Sequence, residues 1–156
     1  KFVAAAEAAF FAPELNEMRL LPGAADLLDR LAQRGIRRGL ASNASSHYFV
    51  TECCRRLALD RRLDPILSSA AVGWAKPHPA IFQVMLSAWD VPPADAVMVG
   101  DTLGADIAGA RAMDMRSILV TGERGPNEPM PSEVLRPDGV AVDLPTVGMI
   151  LDAWSS

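Results

Sequence analysis

Lysine is almost missing from this chain of 156 residues: of its fifteen Lys and Arg residues, only Lys1 and Lys76 are lysine. Ordinary basic positions are filled by arginine, so the one internal lysine stands apart from its background. An ammonium is a compact point charge where a guanidinium is a broad planar fork, and the two differ most at a tight phosphate or carboxylate site. A chance surface lysine is the plain alternative. Cysteine is scarce as well. Cys53 and Cys54 are adjacent and poorly placed to pair with each other, which excludes both a disulfide framework and a zinc-type spacing. Two buried helix thiols in a reducing cytoplasm are the expectation. No run approaches the ~18–20 apolar residues of a membrane span, and the first apolar stretch lacks the cationic, small-residue pattern of a signal peptide. A basic excess is absent too: the formal net charge is −4, which argues against a nucleic-acid partner.

What is present is core-forming material. Half of the residues are hydrophobic and 22% are charged, enough for one folded domain by the usual ~100–200 residues each and too apolar for intrinsic disorder. Residues 2–11 read as an alanine-rich helix whose far boundary is blurred by Pro13. A second helix follows Pro22-Gly23, with Leu27, Leu28 and Leu31 on one face and Gly35 as its stop. Residues 36–42 read as a strand diluted by Arg37, Arg38 and Gly39, followed by a helix over 46–59 and a short strand over 66–69. The second half alternates clearly: helix 79–89, strand 96–99, helix 103–113, strand 118–120, a loop rich in Gly, Pro and Glu over 121–138, strand 140–142 and helix 145–154. Alternation of this kind implies βαβ units, hence an α/β fold with a doubly wound, mostly parallel sheet.

In such a sheet, ligands bind beyond the carboxyl ends of the strands. Three polar groups fall there. Ser42-Asn43 closes the strand over 36–42; a hydroxyl with turn amides can bind an anion, although Ser-Asn is also ordinary turn and N-cap chemistry. Lys76 lies in Trp74-Ala75-Lys76-Pro77-His78-Pro79, where prolines fix the backbone around a cation suited to a phosphoryl oxygen or a carboxylate. His78 is better read as a helix-start residue than as an acid–base group. The third group is Val97-Met98-Val99-Gly100-Asp101-Thr102-Leu103-Gly104-Ala105-Asp106, an apolar strand ending in Gly-Asp with a second Asp about one helical turn on. Magnesium is commonly held by one or two carboxylates plus waters and a substrate phosphate. Alternatively, Asp101 caps the helix and Asp106 is a first-turn acid favoured by the helix dipole.

The order of these groups (Ser42, then Lys76-Pro77, then Gly100-Asp101 with Asp106) resembles the haloacid dehalogenase-like (HAD) superfamily, whose members are mostly magnesium-dependent phosphohydrolases. Residues 73–115, including Pro79-Ala80-Ile81-Phe82 and Ala108-Gly109-Ala110-Arg111-Ala112, look like that family almost throughout, and the resemblance extends over residues 20–156. It implies a Rossmann-like core over 20–156, with residues 1–19 the remnant of a helical cap. It further implies hydrolysis of a small phosphorylated metabolite through an aspartyl-phosphate. Ser42 and the Asn43 backbone would bind the phosphoryl group, Lys76 would neutralise its charge, and Asp101 and Asp106 would serve the Mg2+ site. The lysine precedes the acidic pair, the reverse of the order in receiver domains of signalling systems. Gly-Asp also fits the phosphohydrolases better than the true haloacid dehalogenases. One motif has no counterpart here: the Asp-x-Asp strand that carries the family's nucleophile and lies at the centre of its sheet. The first central strand is therefore expected from upstream sequence or another chain, and these residues alone are expected to be inactive. A non-catalytic HAD-like binding or regulatory module is the rival reading. Asp114 stands where the family often has Gly, and Asp tolerates a left-handed backbone better than most residues.

Overall fold

The five strands among the described residues are parallel, and they fall into two groups. The computed structural model describes residues 2–122 and 135–155, with side chains from residue 5 onward. Strand β1 (Leu40–Ser42) pairs with β2 (Ile66–Ser68), while β3 (Val97–Gly100) pairs with β4 (Arg116–Val120) and β4 with β5 (Gly139–Ala141). The ladders set Ser42 opposite Ser68, Val97 opposite Arg116, and Ile118 opposite Gly139. Among the described residues β1 and β3 are not hydrogen-bonded neighbours, so the chain does not close the expected central gap by pairing these two strands. The α/β class with parallel strands is as the sequence implies.

Helices connect the strands and cover them. Helix α1 (Phe2–Glu17) runs through Pro13, which settles the far boundary that the proline blurs in the sequence. It lies on α3 (His47–Arg56), with the Phe11 and Phe49 rings 4.8 Å apart and Ser46 Oγ donating to Glu7 Oε1 at 2.7 Å. Ser46 also caps α3 by accepting from the Phe49 amide, and Arg55 and Arg56 in the last turn suit the negative helix end. Helix α2 (Ala24–Gln33) buries Leu31 and is tied to α7 (Leu144–Trp154) by Arg34, whose Nη1 donates to Asp152 Oδ1 at 2.6 Å. Helix α5 (Pro79–Trp89) buries Ile81, Phe82, Met85 and Leu86 and packs on β1 and β2. The deepest core lies under β4, where Ile118 packs with Ala141 and Val147, and Leu119 with Leu103 and Ile107.

The structure departs from the sequence reading at three places along the strands and their connections. β1 is three residues long rather than seven, because Ile36 and Arg37 are exposed and Arg38 turns its guanidinium onto the Ile36 and Arg62 carbonyls. A short helix α4 (Ser69–Val72), capped by Ser68, follows β2 directly. Helix 103–113 is two pieces, a π-helical turn Leu103–Ile107 and then α6 (Ala108–Ala112). Most of the loop expected over 121–138 lies outside the described residues. Asp114 does adopt the left-handed backbone anticipated for it, with φ of 56°. No helix among the described residues is long and apolar enough to cross a membrane.

Candidate active site

Lys76 is the centre of the site. Its side chain is 9% exposed, and its Nζ lies 2.7 Å from Oδ1 of Asp106, whose side chain is 5% exposed. The same Nζ donates to the Ala41 carbonyl at 2.5 Å. The Leu40 amide faces β2, donating to the Pro65 carbonyl; strand alternation therefore turns the Ala41 carbonyl to the opposite, unpaired edge of β1. One ammonium thus bridges the open edge of β1 to the turn that follows β3. A lone lysine is chemically suited to this place, since three donors on a flexible stem can reach partners in different directions where a planar fork cannot.

Asp106 is aimed by the π turn. Thr102 precedes that turn, and its carbonyl accepts from Asp106 N at 2.8 Å and from Ile107 N at 3.4 Å, the second spanning five residues. Asp106 Oδ2 folds back to accept from Thr102 N at 3.1 Å, so the side chain satisfies an orphan amide at the turn's start. That leaves Oδ1, which has the Lys76 ammonium as an ion-pair partner but no hydrogen bond of good alignment. The carboxylate can sit there because residue 100 is glycine: a Cβ on Gly100 would lie 2.2 Å from Asp106 Oδ2 and 2.6 Å from its Cβ. A second glycine brings the lysine loop in. A Cβ on Gly109 would lie 2.4 Å from Phe82 Cζ and 3.3 Å from the Pro77 Cα, so α6 meets the Lys76-Pro77 segment only through a bare backbone.

The remaining candidates flank this bridge. Asp101 follows β3 and is exposed, its Oδ1 accepting from the Thr102 hydroxyl at 3.3 Å. Ser42 ends β1, half-buried, and its hydroxyl has no hydrogen-bond partner among the described residues. Asn43, next along, directs its carboxamide to the Lys76 backbone. His78 accepts from the Ala80 amide at 3.2 Å as the cap of α5 and stacks on Trp74 with ring centroids 4.0 Å apart, a structural role as the sequence suggests. Sequence reasoning missed the Ala41 carbonyl, the Thr102 amide, Gly100 and Gly109. Backbone groups carry no residue signal, but the glycine of Gly100-Asp101, directly before an acid that must fold back, was available as one.

Asp101 and Asp106 suit a hard cation in kind, both supplying carboxylate oxygens. Asp101 is exposed and has only Oδ1 engaged, by the Thr102 hydroxyl, whereas both oxygens of Asp106 are engaged by Thr102 and Lys76. No group of three or more His, Cys, Asp or Glu side chains able to hold a metal occurs among the described residues. A magnesium here would lean on Asp101, on water, and on oxygens brought by substrate or another segment. Two concavities of about 440 Å³ each, lined around Arg37 and Trp89 and around Gln83 and Pro92, lie elsewhere, and neither includes Ser42, Lys76, Asp101 or Asp106.

Known proteins resemble this chain in sequence and in fold. Residues 2–114 match the haloacid dehalogenase-like hydrolase family. A glyceraldehyde 3-phosphate phosphatase of Pyrococcus furiosus is 36% identical over 118 residues, covering 76% of this chain and 49% of the relative. A ribulose-1,5-bisphosphate 5-phosphatase of Halopiger xanaduensis is 34% identical over 111 residues, covering 71% of this chain and 46% of the relative. The chain thus spans about half the length of these relatives. Among solved structures, CbbY of Rhodobacter sphaeroides in complex with phosphate superposes with a TM-score of 0.72 at 28% identity, over 94% of this chain and 64% of that one. A HAD phosphatase of Thermococcus onnurineus reaches 0.79 at 21% identity, over 93% and 64%, which speaks for the fold alone. With its motif-bearing residues inside the matched segment and its strands arranged as described, the chain belongs to the haloacid dehalogenase-like hydrolases.

Proposed function

We propose that this chain is the core of a magnesium-dependent phosphatase acting on small phosphorylated metabolites. The observation that carries the reading is the buried Lys76 ammonium, held between the Ala41 carbonyl and Asp106 where β1 and the β3 turn face each other. A cation so held is prearranged for negative charge that develops on a transferring phosphoryl group, and such preorganisation is the main work in phosphoryl transfer. Ser42, with a free hydroxyl, and the Asn43 amide would bind phosphoryl oxygens. Asp101 would hold the magnesium, which supplies charge neutralisation and orientation when bound, and Asp106 would hold Lys76 or a magnesium-bound water. The relatives named as phosphatases of ribulose-1,5-bisphosphate and glyceraldehyde 3-phosphate support a phosphorylated sugar as the substrate class.

The covalent step needs a carboxylate that these residues do not assign. A strand inserted between β1 and β3, from upstream sequence or another chain, would carry it and would meet the unpaired edges of both. Helix α1 would belong to a helical cap, given its packing on α3. The unpaired Cys53 and Cys54 suit a cytoplasmic setting. The test is turnover of an aryl phosphate and of phosphorylated trioses and pentoses by the full-length protein with magnesium. Asp101→Asn and Lys76→Ala should each abolish turnover, and residues 1–156 alone should show none. Full activity in Lys76→Ala would overturn the assignment.

A further inference from the structure

The Asn43 carboxamide makes a contact that phosphoryl binding does not explain. Its Oδ1 accepts from Lys76 N at 2.8 Å and its Nδ2 donates to Lys76 O at 2.9 Å. Lys76 thereby receives, from a side chain, the donor and acceptor that a residue in a neighbouring strand would offer across a ladder. The tie acts on the peptide of Lys76, while the lysine stem reaches back to the Ala41 carbonyl, two residues before Asn43. A closed circuit results: β1 holds Asn43, Asn43 holds the Lys76 backbone, and the Lys76 ammonium returns to β1. With its backbone so fixed, the four-carbon stem has a short, determined path to Ala41 and Asp106. The next residue is held differently. Ser69 Oγ accepts from Ala44 N and donates to Ala44 O, both at 3.0 Å, fastening that position to α4 without touching Lys76.

We propose that Asn43 is a positioning residue for Lys76: its carboxamide fixes the lysine backbone to the end of β1 and so sets where the ammonium stands. The catalytic consequence rests on the phosphatase reading above; the positioning itself does not. Aspartate at 43 would keep the shape and the acceptor for Lys76 N. It would lose the donor and press a carboxylate against the Lys76 carbonyl, so Asn43→Asp isolates the contact.

The first readout is the acetylation rate of Lys76 in the full-length protein under N-hydroxysuccinimidyl acetate, followed by mass spectrometry of the peptide that carries Lys76, with added Nα-acetyl-lysine as the solvent-exposed reference. Acetylation should be slow in the parent and faster by about 10-fold or more in Asn43→Asp, as a buried, ion-paired amine is released. Ser69→Ala, which loosens only the Ala44 contact, should leave the rate near that of the parent. Should Asn43→Asp fail to fold, Asn43→Ser carries the same comparison. The second readout is kinetic, on the full-length protein: kcat should fall by about 10- to 100-fold with KM little changed, the mark of a misplaced group. Unchanged acetylation in a folded Asn43 variant, or an equal rise in Ser69→Ala, overturns the proposal, as does a raised KM with kcat kept. If the parent full-length protein hydrolyses no phosphate ester, the phosphatase reading fails and the acetylation comparison still decides the positioning.

Discussion

Gly100→Ala is the sharpest perturbation the site offers. The added methyl would stand 2.2 Å from Asp106 Oδ2, 2.4 Å from its Cγ and 2.6 Å from its Cβ. Rotating the carboxylate cannot relieve all three, because the last is not the free end of the side chain. Asp106 must leave its place or the π turn must move away from β3. Either way the Thr102 amide loses its acceptor, and a buried ion pair, 9% and 5% exposed, is broken. Separating a buried pair typically costs about 3–5 kcal/mol, a large part of the ~5–15 kcal/mol by which a domain of this kind is stable. With a urea m value of about 2 kcal/mol per molar, the midpoint should fall by roughly 2 M. Gly104→Ala is the matched control, since its Cβ meets nothing within 4 Å; it should be neutral or slightly stabilising. Urea titrations followed by far-UV circular dichroism on the same preparation of each would decide. A Gly100→Ala midpoint within about 0.3 M of the parent, at unchanged m, would show that the glycine does not make room for Asp106.

Three further outcomes follow from contacts already described. Gly109→Ala would drive its methyl into the Phe82 ring, which is 2% exposed, and should cost about 1–3 kcal/mol by overpacking, read from the same denaturation. Lys76→Met should destabilise by about 3–5 kcal/mol through the buried charge left on Asp106; adding Asp106→Asn should recover part of it, with a coupling of about 1 kcal/mol or more in the double-mutant cycle. Additive effects there would mean that the two side chains do not interact. Burial pushes the Cys54 thiol up to about 11, so at pH 8 only about one molecule in a thousand carries its thiolate. Alkylation of Cys54 should accordingly be slow at pH 8 and speed up as the pH rises toward 11. Because the folded-state value is raised, the protonated thiol's contribution to stability is intact below the unfolded value and is lost as pH climbs through that range. Rapid alkylation at pH 7 without loss of structure would refute the burial.

Much of the site could be read before the fold was known, for specific reasons. Asp101 was legible because an apolar strand stops at Gly-Asp, and Lys76 because arginine occupies nearly every other basic position. The bounds of helix α5 were legible to the residue, with Pro79 at its start, although its buried side takes Phe82 and leaves Val84 exposed. β1 was overextended because Ile36 looks like strand, and nothing local says that Arg38 will spend its donors on carbonyls at residues 36 and 62. The π turn was invisible for a related reason. Its wider spacing follows from Asp106 reaching the Thr102 amide and Lys76 at once, and Lys76 is thirty residues earlier in the chain. Asn43 was placed correctly at the end of β1, but a carboxamide looks the same in sequence whether it faces a phosphate or a peptide.

The division of the sheet has a consequence for how the molecule moves. β1 and β2 share one ladder and β3, β4 and β5 another, and no backbone ladder joins the two sets among the described residues. What spans them is side-chain and helix contact: the Lys76 ammonium, α5 lying on β1, β2 and α6, and Arg34 at the end of α2 held to Asp152 of α7. Regions linked in that way open as separate cooperative units, each with its own free energy. Amide hydrogen exchange should accordingly give two groups of protected amides, those of Ile118 and Leu119 slower than those of Leu40 and Leu67. An anion seated between the strand ends would draw the faster group toward the slower, so that binding registers as one exchange rate where there had been two.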